Sequence, residues 1–150
     1  MMNQSPKGNI LIVDDNVELL EKLQFLLEDL AEEIFIAEDA AKGYDAIQNH
    51  EKLHCVVCDI NMPGKDGVEF LKDVRAAGIK IPFVFFTGHG DDDLMVKAGD
   101  LGTYDFIMKP QLDNLEKAVI EAMKIGQGIT SGDEHTSEEK FQELVDILKK

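Results

Sequence analysis

The sequence predicts an open α/β sandwich, a parallel sheet of five strands with helices on both faces. Short apolar runs alternate five times with stretches whose apolar residues recur at helical spacing. Several of the runs are continuous rather than alternating, the signature of strands covered on both faces. Parallel neighbours also need crossover connections, which the intervening helical stretches supply.

Taken in order, "NILIV" (9–13) is the first strand, followed by a helix carrying Val17, Leu20, Leu23, Leu27 and Leu30 on one face. "IFIA" (34–37) is the second strand, and its helix presents Ala40, Tyr44 and Ile47. "HCVVCD" (54–59) is the third, ahead of a helix with Val68, Leu71 and Val74. "IPFVFFT" (81–87) precedes the helical "DDDLMVKAG", and "YDFIM" (104–108) precedes a last periodic run with Leu115, Val119 and Met123. Residues 8–125 therefore form one domain, a size that supports a single core. After them, "GQGITSGDEHTS" gives a flexible linker at 126–136. Residues 137–149 form an amphipathic C-terminal helix. Thr136 and Glu139 make its capping box, and Phe141, Leu144, Val145 and Leu148 its apolar stripe. A stripe that apolar is expected to dock, either on this domain's own face or on a second copy, so a homodimer is one expected state.

The net charge of −15 argues against a direct nucleic-acid partner, which needs a basic face to release counterions, and against adhesion to anionic lipid. No apolar stretch approaches the roughly 20 residues that span a bilayer, and no membrane partner is expected. Cys55 and Cys58 stand three apart on a strand, on opposite sheet faces and roughly 10 Å apart, so they cannot bridge. Reduced thiols are expected, and with them a cytoplasmic location.

Ligands of open parallel sheets bind beyond the carboxyl ends of the strands where the strand order reverses. In the flavodoxin-like order 2-1-3-4-5 that point lies between the first and third strands. The first strand ends in Asp14-Asp15 and the third in Asp59, so three carboxylates converge on one crevice. Alone, Asp14-Asp15 reads as a helix N-cap pair and Asp59 as a turn residue. Together they form a set of hard oxygen ligands that repel one another and suit Mg²⁺. Thr87 and Lys109 end the fourth and fifth strands, and a hydroxyl and an ammonium beside such a cluster are donors for phosphoryl oxygens. A cis bond at Lys109-Pro110 would fix the lysine stem.

The set "VDD", "DINMPGKDG", "FFTGHG" and "YDFIMKP", one motif after another at successive strand ends, resembles the receiver domain of two-component response regulators. The resemblance covers 8–125. It implies that Asp59 is the phosphoacceptor and that Asp14, Asp15, Asp59 and the backbone carbonyl of Asn61 hold Mg²⁺. It also implies that Thr87 and Lys109 bind the phosphoryl oxygens. Gly64 and Gly67 let the loop after Asp59 bend tightly. Thr87 and Phe106 are the implied switch, reshaping the face of helix four, strand five and helix five. The implied partners are a sensor histidine kinase or phosphotransfer protein and a downstream protein target. Such a chain is a phosphoacceptor rather than an enzyme, catalysing at most its own phosphotransfer and dephosphorylation.

Gly88 and Gln111 depart from the commonest pattern, which has a small alanine-like residue and a phenylalanine there. His89, flanked by glycines, reads as a solvated loop residue rather than a base. A Mg²⁺-dependent phosphohydrolase of the haloacid dehalogenase type would need D-x-D where this chain has "VDDNVE". A flavodoxin would need a Ser/Thr/Gly-rich loop after "NILIV". "TGHGD" resembles receivers that precede activator domains, so a receiver fragment of a longer regulator is the alternative to the favoured single-domain regulator.

Overall fold

The computed structural model describes residues 8–50, 52–88 and 92–130. Five strands and five helices alternate: β1 (Gly8–Val13), α1 (Val17–Leu27), β2 (Ala31–Ala37), α2 (Ala40–Asn49), β3 (Leu53–Cys58), α3 (Gly67–Ala76), β4 (Phe83–Thr87), α4 (Asp92–Asp100), β5 (Asp105–Met108) and α5 (Leu112–Thr130). All pairings are parallel and the strand order is β2-β1-β3-β4-β5, the flavodoxin-like order that the sequence predicts.

Side chains that alternate along each strand divide the core into two layers. Leu11, Val13, Val56, Cys58, Phe83 and Phe85 face α2, α3 and α4. Ile10, Ile12, Cys55, Val57, Val84 and Phe86 face α1 and α5. Each fully buried Leu, Ile or Phe contributes about 2 kcal/mol of transfer free energy. Cys55 and Cys58 thus lie in different layers, both buried and both free. Burial pushes the Cys55 thiol up to about 12 and the Cys58 thiol well above its usual range, so both stay protonated and inert.

The helices start where short polar side chains cap them. Asn16 accepts from Leu19 N on α1, Asp39 accepts from Lys42 N on α2, and Asp66 with Glu69 closes a full capping box on α3. Each such cap contributes about 1 kcal/mol. The α1 cap belongs to Asn16, which leaves Asp14 and Asp15 for other work.

Two expectations change. Val17, read as part of the core stripe, is 47% exposed, because the buried face of α1 begins at Leu20. The span read as a linker begins inside a helix, since α5 continues through Gly126 to Thr130. Gly126 is a notch rather than a helix stop: α5 lies so close to β3 that a Cβ there would sit 1.9 Å from the His54 carbonyl oxygen. The remainder of that span, the helix expected at 137–149, and His89 lie outside the described residues.

Candidate functional site

The β1–β3 pairing places the two acidic strand ends side by side. Asp14 and Asp59 each follow their strand by one residue, and the Asp59 N–H donates to the Val13 carbonyl at 3.0 Å. One carboxylate oxygen from each of Asp14, Asp15 and Asp59 lies within 4.8 Å of the others. Asp14 and Asp59 are buried and Asp15 is exposed. Gly67 makes room for this, because a Cβ on it would meet the Asp59 carbonyl oxygen at 2.2 Å. Gly64, at φ 77°, turns the loop that carries Asn61, which is exposed, away from the strand end.

Lys109 closes the crevice from β5. Its Nζ donates to Asp14 Oδ2 at 3.0 Å and to Asp59 Oδ2 at 3.3 Å. Its own N–H donates to the Thr87 carbonyl at 2.8 Å, which ties the ends of β4 and β5 together. Thr87 is fully buried, and the Lys109-Pro110 bond is cis. Burial raises the Asp14 carboxyl and the Asp59 charge adds to that, against the Asn16 N–H and Lys109, which lower it. Burial would lower the Lys109 ammonium, but its two carboxylate partners more than offset this and hold it above its usual value.

The charges do not balance. Three carboxylates against one ammonium leave two negative charges uncompensated. Asp59 Oδ1 is buried with no hydrogen-bond partner among the described residues, an arrangement that costs free energy unless a cation or donor takes it. A divalent metal with hard oxygen preference fits both the charge and the orphaned oxygen.

Replacing Lys109 with Ala is expected to destabilise the metal-free protein by about 1 kcal/mol, a modest figure because the side chain is partly solvated. It is also expected to tighten Mg²⁺ binding roughly threefold to tenfold, since the ammonium and the metal compete for the same carboxylates. Thermal melts across a Mg²⁺ titration read both effects. An unchanged Mg²⁺ response would contradict that competition.

Phe106 stacks on Phe85 with ring centroids 5.7 Å apart and is half-buried against the α3–α4 layer. Arg75 escapes the sequence reading. It is the chain's only arginine, and that singularity, beside so many lysines, is the one signal that points to it.

A parallel sheet whose reversed strand order gathers aspartates at β1 and β3 opposite a lysine from β5 defines an α/β domain with an acidic crevice at its strand ends. Residues 10–120 match the response regulator receiver domain model, and the chain belongs to that family. It is 39% identical over 116 residues to the transcriptional regulatory protein FixJ of Bradyrhizobium diazoefficiens, a match covering 77% of this chain and 56% of that protein. It is 36% identical to the C4-dicarboxylate transport transcriptional regulatory protein DctD of Pseudomonas aeruginosa, over 73% of this chain and 25% of that protein. The chain thus spans about half the length of FixJ and a quarter of DctD. A receiver domain protein from Clostridium thermocellum superposes with a TM-score of 0.75 at 25% identity, covering 81% of this chain and 98% of that one. Receivers of this family are phosphoacceptor signalling proteins of two-component systems, and an acidic Mg²⁺ pocket is one of their general features. Among the described residues, no helix is long and apolar enough to cross a membrane.

Proposed function

We propose that this receiver takes a phosphoryl group on Asp59 from a sensor histidine kinase or phosphotransfer protein and passes the signal on by protein contact. The observation that carries the reading is Asp59 itself, a buried strand-end carboxylate with one oxygen held by Lys109 and the other unpartnered beside Asp14 and Asp15. With Oδ1 open to a metal and Oδ2 freed once Lys109 leaves, the Asp59 carboxylate can ligate with one oxygen and attack phosphorus with the other.

In the reaction, an Asp59 oxygen forms the new O–P bond while the N–P bond of the incoming phosphohistidine breaks. The electron pair stays on the imidazole nitrogen, which then takes a proton. Asp14, Asp15, Asp59 and the Asn61 carbonyl would hold Mg²⁺, which supplies charge neutralisation for the carboxylates and the phosphoryl oxygens. Lys109 leaves Asp59 to bond a phosphoryl oxygen, and Thr87 bonds another. Thr87 then draws on the end of β4, and Phe106 follows inward against Phe85, changing the surface of α4, β5 and α5. The location is the cytoplasm, where such kinases discharge.

Acetyl phosphate tests this. Intact mass should rise by one phosphoryl group with Mg²⁺ present and stay unchanged in excess EDTA. Equal labelling in both would remove the metal from the account.

A further inference from the structure

We infer that Arg75 is a positioning residue that holds α4 in its resting place and thereby restrains phosphoryl uptake at Asp59. The inference rests on the phosphoacceptor reading of Asp59.

Arg75 stands in the last turn of α3, and its guanidinium fork is spent wholly on backbone carbonyls. Nε donates to Leu101 O at 3.0 Å, Nη2 to Gly102 O at 3.2 Å and Nη1 to Ile79 O at 3.0 Å. One side chain therefore ties the α3–β4 turn to the turn that ends α4. Among the described residues it has no carboxylate partner, in a chain whose net charge is −15. Its compensation is the negative end of the α4 dipole and the face of Phe83, 5.5 Å from its Cζ. Burial pushes the guanidinium down to about 10, still charged at neutral pH. A lysine could supply the charge but not three carbonyl bonds in one plane.

What it clamps is the most loosely held helix next to the site. Only residues 88–91 join Thr87 to the start of α4 at Asp92. Of α4, Ala98 alone is fully buried, whereas α3 buries Val68, Phe70, Leu71 and Val74. Helices with little burial are the ones that move. The Arg75 seat also leads back to the site: Phe83 lies 5.9 Å from Phe85, which stacks on Phe106. Phe85 stands two residues before Thr87 and Phe106 three before Lys109. Movement of Thr87 toward a phosphoryl group shifts the end of β4, and through Phe85 and Phe83 that shift reaches the seat of Arg75, whose bonds hold the far end of α4. Bonds made in one state and weakened in the other bias the equilibrium, and binding at the site feels that bias reciprocally.

The experiment is isothermal titration of the full chain with beryllofluoride and Mg²⁺, a non-covalent phosphoryl mimic. R75M should bind it roughly threefold to tenfold more tightly than wild type, with unchanged affinity for Mg²⁺ alone. R75K, which keeps the charge and part of the bonding, should show less than half of that gain. L20A, which weakens the opposite core layer, should lower the melting temperature and leave the affinity alone, so general loosening is distinguished from the clamp. Wild type that fails to bind beryllofluoride would refute the Asp59 reading. Wild type that binds, with folded R75M binding equally or more weakly, would overturn the clamp alone. If R75M does not fold, hydrogen exchange on wild type decides: the Leu101 and Thr103 amides should lose protection when beryllofluoride binds, and unchanged protection rejects the inference.

Discussion

Asp59→Asn is expected to abolish phosphorylation by acetyl phosphate while making the metal-free protein more stable, by about 1 kcal/mol. Loss of labelling follows because an amide oxygen is a poor nucleophile and, among the described residues, no other buried strand-end carboxylate shares the Asp59 setting. Asp14 is committed to Asn16 and Lys109, and Asp15 is exposed. The gain in stability follows because the substitution removes a charge from a cluster with three carboxylates and one ammonium. The Mg²⁺-induced rise in melting temperature should shrink in the same variant. Intact mass spectrometry and paired melts with and without Mg²⁺ read both halves. Labelling at the wild-type rate would remove Asp59 from the chemistry, and a loss of stability would show that the carboxylate's bond to Lys109 outweighs the repulsion.

Gly126→Ala is expected to destabilise the protein by roughly 3 kcal/mol, lowering the melting temperature by roughly 6–12 °C. On helix propensity alone the change should stabilise by about 1 kcal/mol, so the sign is diagnostic. The new Cβ meets the His54 carbonyl oxygen at 1.9 Å, its carbon at 2.7 Å and the Cα at 2.9 Å. These are backbone atoms of a central strand and cannot turn aside as a side chain would. The helix must lift off β3, loosening Val119, Ala122 and Met123 in the core. Gly99→Ala, in α4 with nothing within 4 Å of its Cβ position, is the control and should be neutral or slightly stabilising. A melting temperature for Gly126→Ala at or above wild type would mean that α5 ends earlier or sits farther out.

Gly126 also shows why part of the fold was hidden in the sequence. Periodicity and strand composition identify the elements because burial on both faces imposes them locally, and "NILIV" or "HCVVCD" needs no partner to be read. A glycine that ends a helix and a glycine that lets a helix touch a strand look identical in one dimension. The difference lies in His54, more than 70 residues earlier in the chain. Asp14, Asp15, Asp59, Thr87 and Lys109 were legible as a set because each is a polar residue at the end of an apolar run, and fold class alone brings such ends to one edge. Arg75 was not, because its partners are carbonyls, which every residue carries. Val17 kept the helical spacing but lies at the first turn, where α1 has not yet reached the sheet.

The pairing of Asp14 with Lys109 across 95 positions of chain has a consequence for the life of the molecule. Synthesis delivers the acidic residues first and the lysine last. A ribosome-bound chain that has emerged only through β4 already carries Asp14, Asp15, Asp59 and Thr87, yet no ammonium balances them. The crevice thus gains its counter-charge in one late step, when β5 joins the sheet edge and Lys109 reaches Asp14 and Asp59.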